Sequence, residues 1–362
     1  MTNKEMFMSV MERASNAKMP IVHFGYWDET VDKWKNEGHV REGESWDDIA
    51  TNLGFDFGYA DCFAGNTGLA PAFQAKVIKE FPDGSIHRLN EKGVVELQKP
   101  GATGIPAEIS HTLTDRASWE REYLPRLQFS EDRFDFSNLK ELAETDLPLG
   151  MFAGSMYGTI RDWFGIVNLS YIAFEDEELY NEVICTVGEL AYKIAKNSLE
   201  KADALGVHFD YIHFWEDICF NNGPLVSPAV FEEKTGPYYK KITDLGKEYG
   251  VKIFSLDCDG KIDLLVPIWL KNGVNTMFPI EVGTWGASIK PWRDLYGDEI
   301  LGVGGMDKRV FAYGKKEIDA EIERLKPLMD LGGFIPCPDH RIPPDAHWDM
   351  VMYYCDQMRK IV

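Results

Sequence analysis

From Leu147 to the C-terminus the chain repeats one pattern: a short apolar run, a polar loop, then a stretch of helical period. That alternation predicts a parallel sheet, because parallel strands need a crossover connection and a helix is the usual one. The runs are Leu149 to Ala153, Phe209 to Asp217, Val251 to Asp257, Val274 to Glu281, Ile300 to Gly305 and Gly333 to Pro336. Pro20 to Trp27 and Gly54 to Tyr59 bring the number of strands to eight. Eight parallel strands interleaved with helices point to a TIM (β/α)8 barrel of the α/β class, and 362 residues suit one such domain. Helices are expected at about 5–18, 176–204 and 229–249. Between 75 and 98 the texture changes to alternating residues around Asp83-Gly84 and Asn90 to Gly93, which are hairpin signals. A small β-hairpin insertion, from about 75 to about 128, is therefore expected over one mouth of the barrel.

Composition excludes several classes of partner. A formal charge of −21 argues against nucleic acid and anionic membrane, both of which are bound through cationic contacts. No run approaches the roughly 18 apolar residues of a membrane span, and Met1-Thr2-Asn3-Lys4-Glu5 lacks the order of a signal peptide, so a cytoplasmic location is expected. Six cysteines are too few for a disulfide framework in a chain this long, leaving free thiols or metal ligands.

The strand-like runs end in reactive groups. They are Glu216 and Asp217, Asp257-Cys258-Asp259-Gly260, Glu281, Met306-Asp307-Lys308-Arg309, and Cys337-Pro338-Asp339-His340. In a barrel all would converge on one face, where crowded carboxylates raise each other's pKa and call for a cation. Thiol, imidazole and carboxylate together are zinc ligands. Parity places Asp257 and Asp259 on the pocket side of their strand and Cys258 on the other, whereas zinc chemistry favours Cys258; both are candidates. Prolines 336, 338, 343 and 344 stiffen the loop that carries Cys337 and His340. His208 and His213 flank a buried strand and read as core or rim histidines.

The segment from Phe209 to Tyr353 resembles the uroporphyrinogen decarboxylase superfamily, in particular its corrinoid-dependent methyltransferase branch. The resemblance rests on Phe214-Trp215-Glu216-Asp217, Asn222-Gly223-Pro224, Asp257-Cys258-Asp259-Gly260, Phe278-Pro279-Ile280-Glu281, Gly304-Gly305-Met306-Asp307-Lys308-Arg309 and Pro338-Asp339-His340. It implies a barrel with its site at the strand C-termini. His340 falls where the decarboxylases carry a pocket histidine and the methyltransferases a zinc-binding cysteine; Asp257 to Gly260 stands where the latter have His-x-Cys-Gly. That departure leaves Glu216, Cys258, Cys337 and His340 as the implied zinc set, with Asp257 in reserve. The arginine-bearing motif that true uroporphyrinogen decarboxylases carry after the first strand is replaced by His23-Phe24-Gly25-Tyr26-Trp27-Asp28.

The expected activity is methyl transfer between a small methylated compound and a separate corrinoid protein. Zinc would be the Lewis acid, and Asp257, Asp259 and His340 would handle protons. No cobalamin-binding Asp-x-His-x-x-Gly signature occurs in the chain, so the corrinoid must come from a partner. Tyr26, Trp27 and Tyr157, near strand ends, hint at an aromatic methyl ether; Arg161, Glu281 and Arg309 complete the expected substrate contacts. A cofactor-free decarboxylase using Asp257 and His340, or a non-catalytic ligand-binding barrel, are the alternatives.

Overall fold

The computed structural model describes residues 1–101 and 104–361. Its strands, in chain order, are β1 (Val22–His23), β2 (Phe57–Gly58), β3 (Cys62–Ala64), β4 (Lys76–Glu80), β5 (Ile86–Leu89), β6 (Val94–Gln98) and β7 (Ala107–His111). They continue with β8 (Gly150–Phe152), β9 (Tyr211–Trp215), β10 (Cys219–Phe220), β11 (Gly223–Pro224), β12 (Ile253–Asp257), β13 (Thr276–Phe278), β14 (Leu301–Met306) and β15 (Phe334–Pro338).

The fold is mixed α/β. Seven strands form one parallel sheet in the order β15-β14-β13-β12-β9-β8-β3, and β1 pairs with β2 in a separate parallel pair. A parallel bridge from Tyr26 to Ile342 joins the end of β1 to the chain just beyond β15. The eight apolar runs of the sequence thus all become parallel strands, with one change. The run over 54–59 forms only the short β2; Ala60, at a left-handed φ of 74°, then turns the chain, and β3, a strand beyond the expected run, joins the large sheet instead.

Each strand alternates between two apolar surfaces, as buried parallel sheets require. Tyr211, Ile253, Leu301, Val303, Ile335 and Cys337 share one cluster with Phe7, Val22 and Phe57. Ile212, Phe214, Phe254, Leu256, Met277 and Phe334 lie in the other, among residues of the flanking helices. Those helices include Glu177–Ala204 and Pro228–Glu248, close to the expected spans, and Lys315–Met329, for which no span was expected. The first helix is shorter than expected. It runs Asn3–Met11 under a Thr2/Glu5 capping box, and Arg13, at φ 55°, turns the chain away soon after its end.

The hairpin signals resolve as a four-stranded antiparallel sheet, β4-β5-β6-β7. It ends at His111; the rest of the expected insertion is short helical turns over Arg116–Ser118, Trp119–Tyr123 and Leu124–Leu127. Lys92, in the β5–β6 turn, reaches Asp162 at 2.6 Å and ties this sheet to the segment after β8. Among the described residues no helix is long and apolar enough to cross a membrane.

One glycine controls how β14 meets its neighbour. At Gly304, φ is +125° and an added Cβ would stand 1.5 Å from the Pro279 carbonyl oxygen, a backbone atom that cannot rotate away. Gly304→Ala is therefore expected to destabilise the protein by about 3 kcal/mol or more, combining strain with overpacking. Urea unfolding midpoints of variant and parent check this.

Candidate functional site

A cavity of about 330 Å³ opens where β1, β2, β8, β9 and β12 end. Its polar lining comprises His23, Asp47, Asp61, His213, Asp257 and Arg341, and its aromatic lining Phe24, Trp46, Tyr59, Phe152 and Trp215. That size and mixture suit a small, largely apolar ligand oriented by a few polar contacts.

Asp257 is the last residue of β12, and the pairing Ser255↔His213 and Asp257↔Trp215 sets it beside the end of β9. Burial pushes its carboxyl well above the ordinary carboxylate range; Asp259, Asp217 and Glu281 push the same way, and Arg341 opposes them. A carboxyl whose proton is held more tightly in this way, at the edge of a cavity, can serve as a proton donor. Burial likewise raises Asp61 and Asp217.

Two imidazoles on the wall each have one ring nitrogen without a partner. His23 is 5% exposed and its Nδ1 accepts the Gly25 N–H at 2.9 Å. Burial lowers its pKa to about 4, so the ring is neutral at pH 7 and its one proton must sit on Nε2. That Nε2 is buried without a partner. His213, 4% exposed and lowered to about 3 by burial, has an unpartnered Nδ1. Buried polar atoms are normally hydrogen-bonded, and two orphans on one cavity are what a ligand would satisfy. Sequence reading assigned His213 to the core or rim and did not single out His23; what each ring nitrogen touches is not written in residue type or spacing.

The implied zinc set is not assembled. Among the described residues no group of three or more His, Cys, Asp or Glu could hold a metal ion. Each of the four is occupied elsewhere, and the residues do not fit zinc. Glu216, fully buried, accepts hydrogen bonds from Ser155 Oγ (3.0 Å) and the Met156, Tyr157 and Gly158 N–H groups (2.5, 3.0 and 2.6 Å), and another from Tyr239 Oη. Cys258, facing away from the cavity as parity required, is buried with Cys219, and burial raises its thiol well above normal. Cys337 lies within β15, because the strand extends through Pro338; it is fully buried in the apolar cluster with Ile335 and Phe278, and its thiol is likewise pushed up. His340 is on the rim, stacked on Trp27 (5.5 Å between centroids) with Nε2 3.5 Å from Asp259.

The other expected contacts divide in the same way. Tyr26 and Tyr157 are buried behind the walls: Tyr26 packs against His23, Trp34 and Trp46, and Tyr157 hydrogen-bonds Tyr180 at 2.9 Å. Neither lines the cavity. Arg161 is committed to Asp162 (2.8 Å) and Asp217 (3.2 Å), and Arg309 to Asp307 (2.7 Å). Glu281 accepts from the Gly260 N–H (2.5 Å) and Thr284 (2.8 Å), fixing the loop after β12. Asp257 is the expected catalytic residue that does line the cavity, while Asp259 and His340 pair beside it. Arg341, next to the expected His340, was missed.

No family model matches the chain, and no curated protein matches it. Among solved structures it is similar to a methyltransferase from Methanosarcina mazei, with a TM-score of 0.60 and 13% identity over 99% of both chains. A Listeria monocytogenes protein described as a vitamin-B12-independent methionine synthase matches 62% of this chain and 67% of its own at 11% identity; its TM-score of 0.38 supports no argument. At 13% identity the first likeness speaks for the architecture: this chain has, from end to end, a fold also used by a methyltransferase.

Proposed function

We propose that the chain is a methyltransferase that takes a methyl group from a small methylated compound held in the cavity and delivers it to the corrinoid of a separate protein. The observation that carries this reading is Asp257, a carboxyl pushed toward its neutral form at the edge of an aromatic-lined cavity. The full-length likeness to a methyltransferase fold is consistent with it. The strand order suits a closed (β/α)8 barrel in which β1–β2 fill the gap between β15 and β3, and the Tyr26–Ile342 bridge supports that closure.

Trp46, Trp215, Phe24 and Phe152 would enclose the substrate and exclude water. Asp257 would then donate its proton to the oxygen, nitrogen or sulfur that loses the methyl group, so that the leaving group departs neutral and Asp257 is left ionised, to be reprotonated from solvent. The corrinoid would supply the nucleophile that accepts the methyl group. A cavity of about 330 Å³ has no room for a corrin ring, so the corrinoid protein would dock over the opening. The test is a panel of small methylated compounds incubated with the chain and a reduced corrinoid protein. Methylated corrinoid, formed only when both proteins are present, is expected; no transfer from any methylated compound would count against it.

One observation favours a second reading, decarboxylation of a small carboxylated substrate. Arg341, on the cavity wall, has no ion-pair partner among the described residues. In that case Asp257 would protonate the carbon that loses carbon dioxide. Carbon dioxide release without a corrinoid protein would replace the first reading with this one.

A further inference from the structure

We infer that the cavity selects a ligand carrying an anionic group, which Arg341 and His23 hold together against one wall. The inference rests on the cavity being the substrate site of the proposed methyl transfer. Three arginines stand about the strand ends, and two are consumed: Arg161 by Asp162 and Asp217, Arg309 by Asp307. Arg341 lines the cavity with no carboxylate in salt-bridge range among the described residues. Its guanidinium lies over the Trp27 ring at 5.5 Å, a stacking contact that restrains the side chain without using its N–H donors.

His23 shares that wall through the backbone. Ile342 N–H donates to Gly25 O at 3.0 Å and Trp27 N–H donates to Ile342 O at 3.2 Å, so the residue after Arg341 is paired across the loop after His23. Gly25 completes the arrangement: its N–H fixes the His23 tautomer, and its φ of 85° with Trp46 3.1 Å from an added Cβ leaves room for glycine alone. The cavity is therefore lined by a fork of cationic donors on Arg341 and by His23, whose buried Nε2–H has no acceptor. A carboxylate, with two oxygens, matches that pair. Of the three carboxyls that line the cavity, burial favours the neutral forms of Asp61 and Asp257, and Asp47 is exposed, where solvent screens it.

The test uses the intact chain and three ring-sized probes of similar shape: benzoate, benzamide and benzyltrimethylammonium, titrated by calorimetry or by quenching of tryptophan fluorescence. Benzoate is expected to bind at least about tenfold more tightly than benzamide, and Arg341→Gln to remove that advantage while changing benzamide affinity by less than about threefold. Arg341 is exposed, so the variant should fold as the parent does. Benzoate held no better than benzamide, or not at all, or bound equally by the variant, overturns the inference, as does tightest binding of the ammonium probe. Methyl transfer by a protein without anion preference would remove this inference and leave the proposed reaction. Benzoate held through Arg341 by a protein that transfers no methyl group would do the reverse.

Discussion

Glu216→Ala should lower stability by on the order of 4 kcal/mol, seen as a large fall in the urea midpoint at unchanged slope. The carboxylate is fully buried and collects one hydroxyl and three backbone N–H donors from the segment Ser155 to Gly158, and a further hydroxyl from Tyr239. Alanine would leave three backbone N–H groups facing an empty space from which, unlike the two hydroxyls, they cannot turn away, and each buried unsatisfied donor costs about 1 to 3 kcal/mol. Glu216→Gln should recover part of the loss, since one acceptor oxygen remains while the new amide N–H₂ meets donors. A metal ligand would behave otherwise: its removal would release metal and spare the fold. An unchanged midpoint in Glu216→Ala would show that the loop does not depend on this carboxylate.

Asp257→Asn should reduce methyl transfer by about 10²- to 10⁴-fold, the usual contribution of a positioned acid. The same variant should gain stability relative to the parent as pH rises above the pKa of an unfolded aspartate. Burial, with Asp259, Asp217 and Glu281 nearby, raises the folded pKa of Asp257 above that of the unfolded chain. The folded state thus holds this proton more tightly, so the stability linked to it is fully present below the unfolded pKa and is lost as pH rises through the folded one. Asparagine cannot ionise and escapes that loss. A gain in stability with a loss of activity is the signature of a strained functional group, and thermal unfolding followed from about pH 4 upward reads it directly.

The parallel strands were legible because an apolar run followed by a helical period leaves few other solutions. Asp257 was legible too, from parity alone: the alternation along β12 turned it to the cavity and Cys258 to the helix side, as the structure has it. Cys337 was misread because prolines suggested a loop, whereas β15 carries them inside the sheet, where Pro336 and Pro338 remain in register with Gly304 and Met306. Glu216 sits at a strand end as expected, but the segment after β8 folds back to wrap it, a contact between residues about 60 apart that no local pattern announces. His23, His213 and Arg341 carry no motif; their interest lies in partners they lack, which only a three-dimensional arrangement can reveal.

The central claim is that Asp257 acts as an acid on a substrate in this cavity. Its most direct test is the pH dependence of kcat/KM for methyl transfer to a corrinoid protein, measured for the parent and for Asp257→Asn. The rate of the parent should be highest where Asp257 is protonated and should fall as pH rises through its raised pKa, while the variant should be slow and flat over the same range. A variant that keeps the parent's rate and its fall with rising pH would contradict the claim.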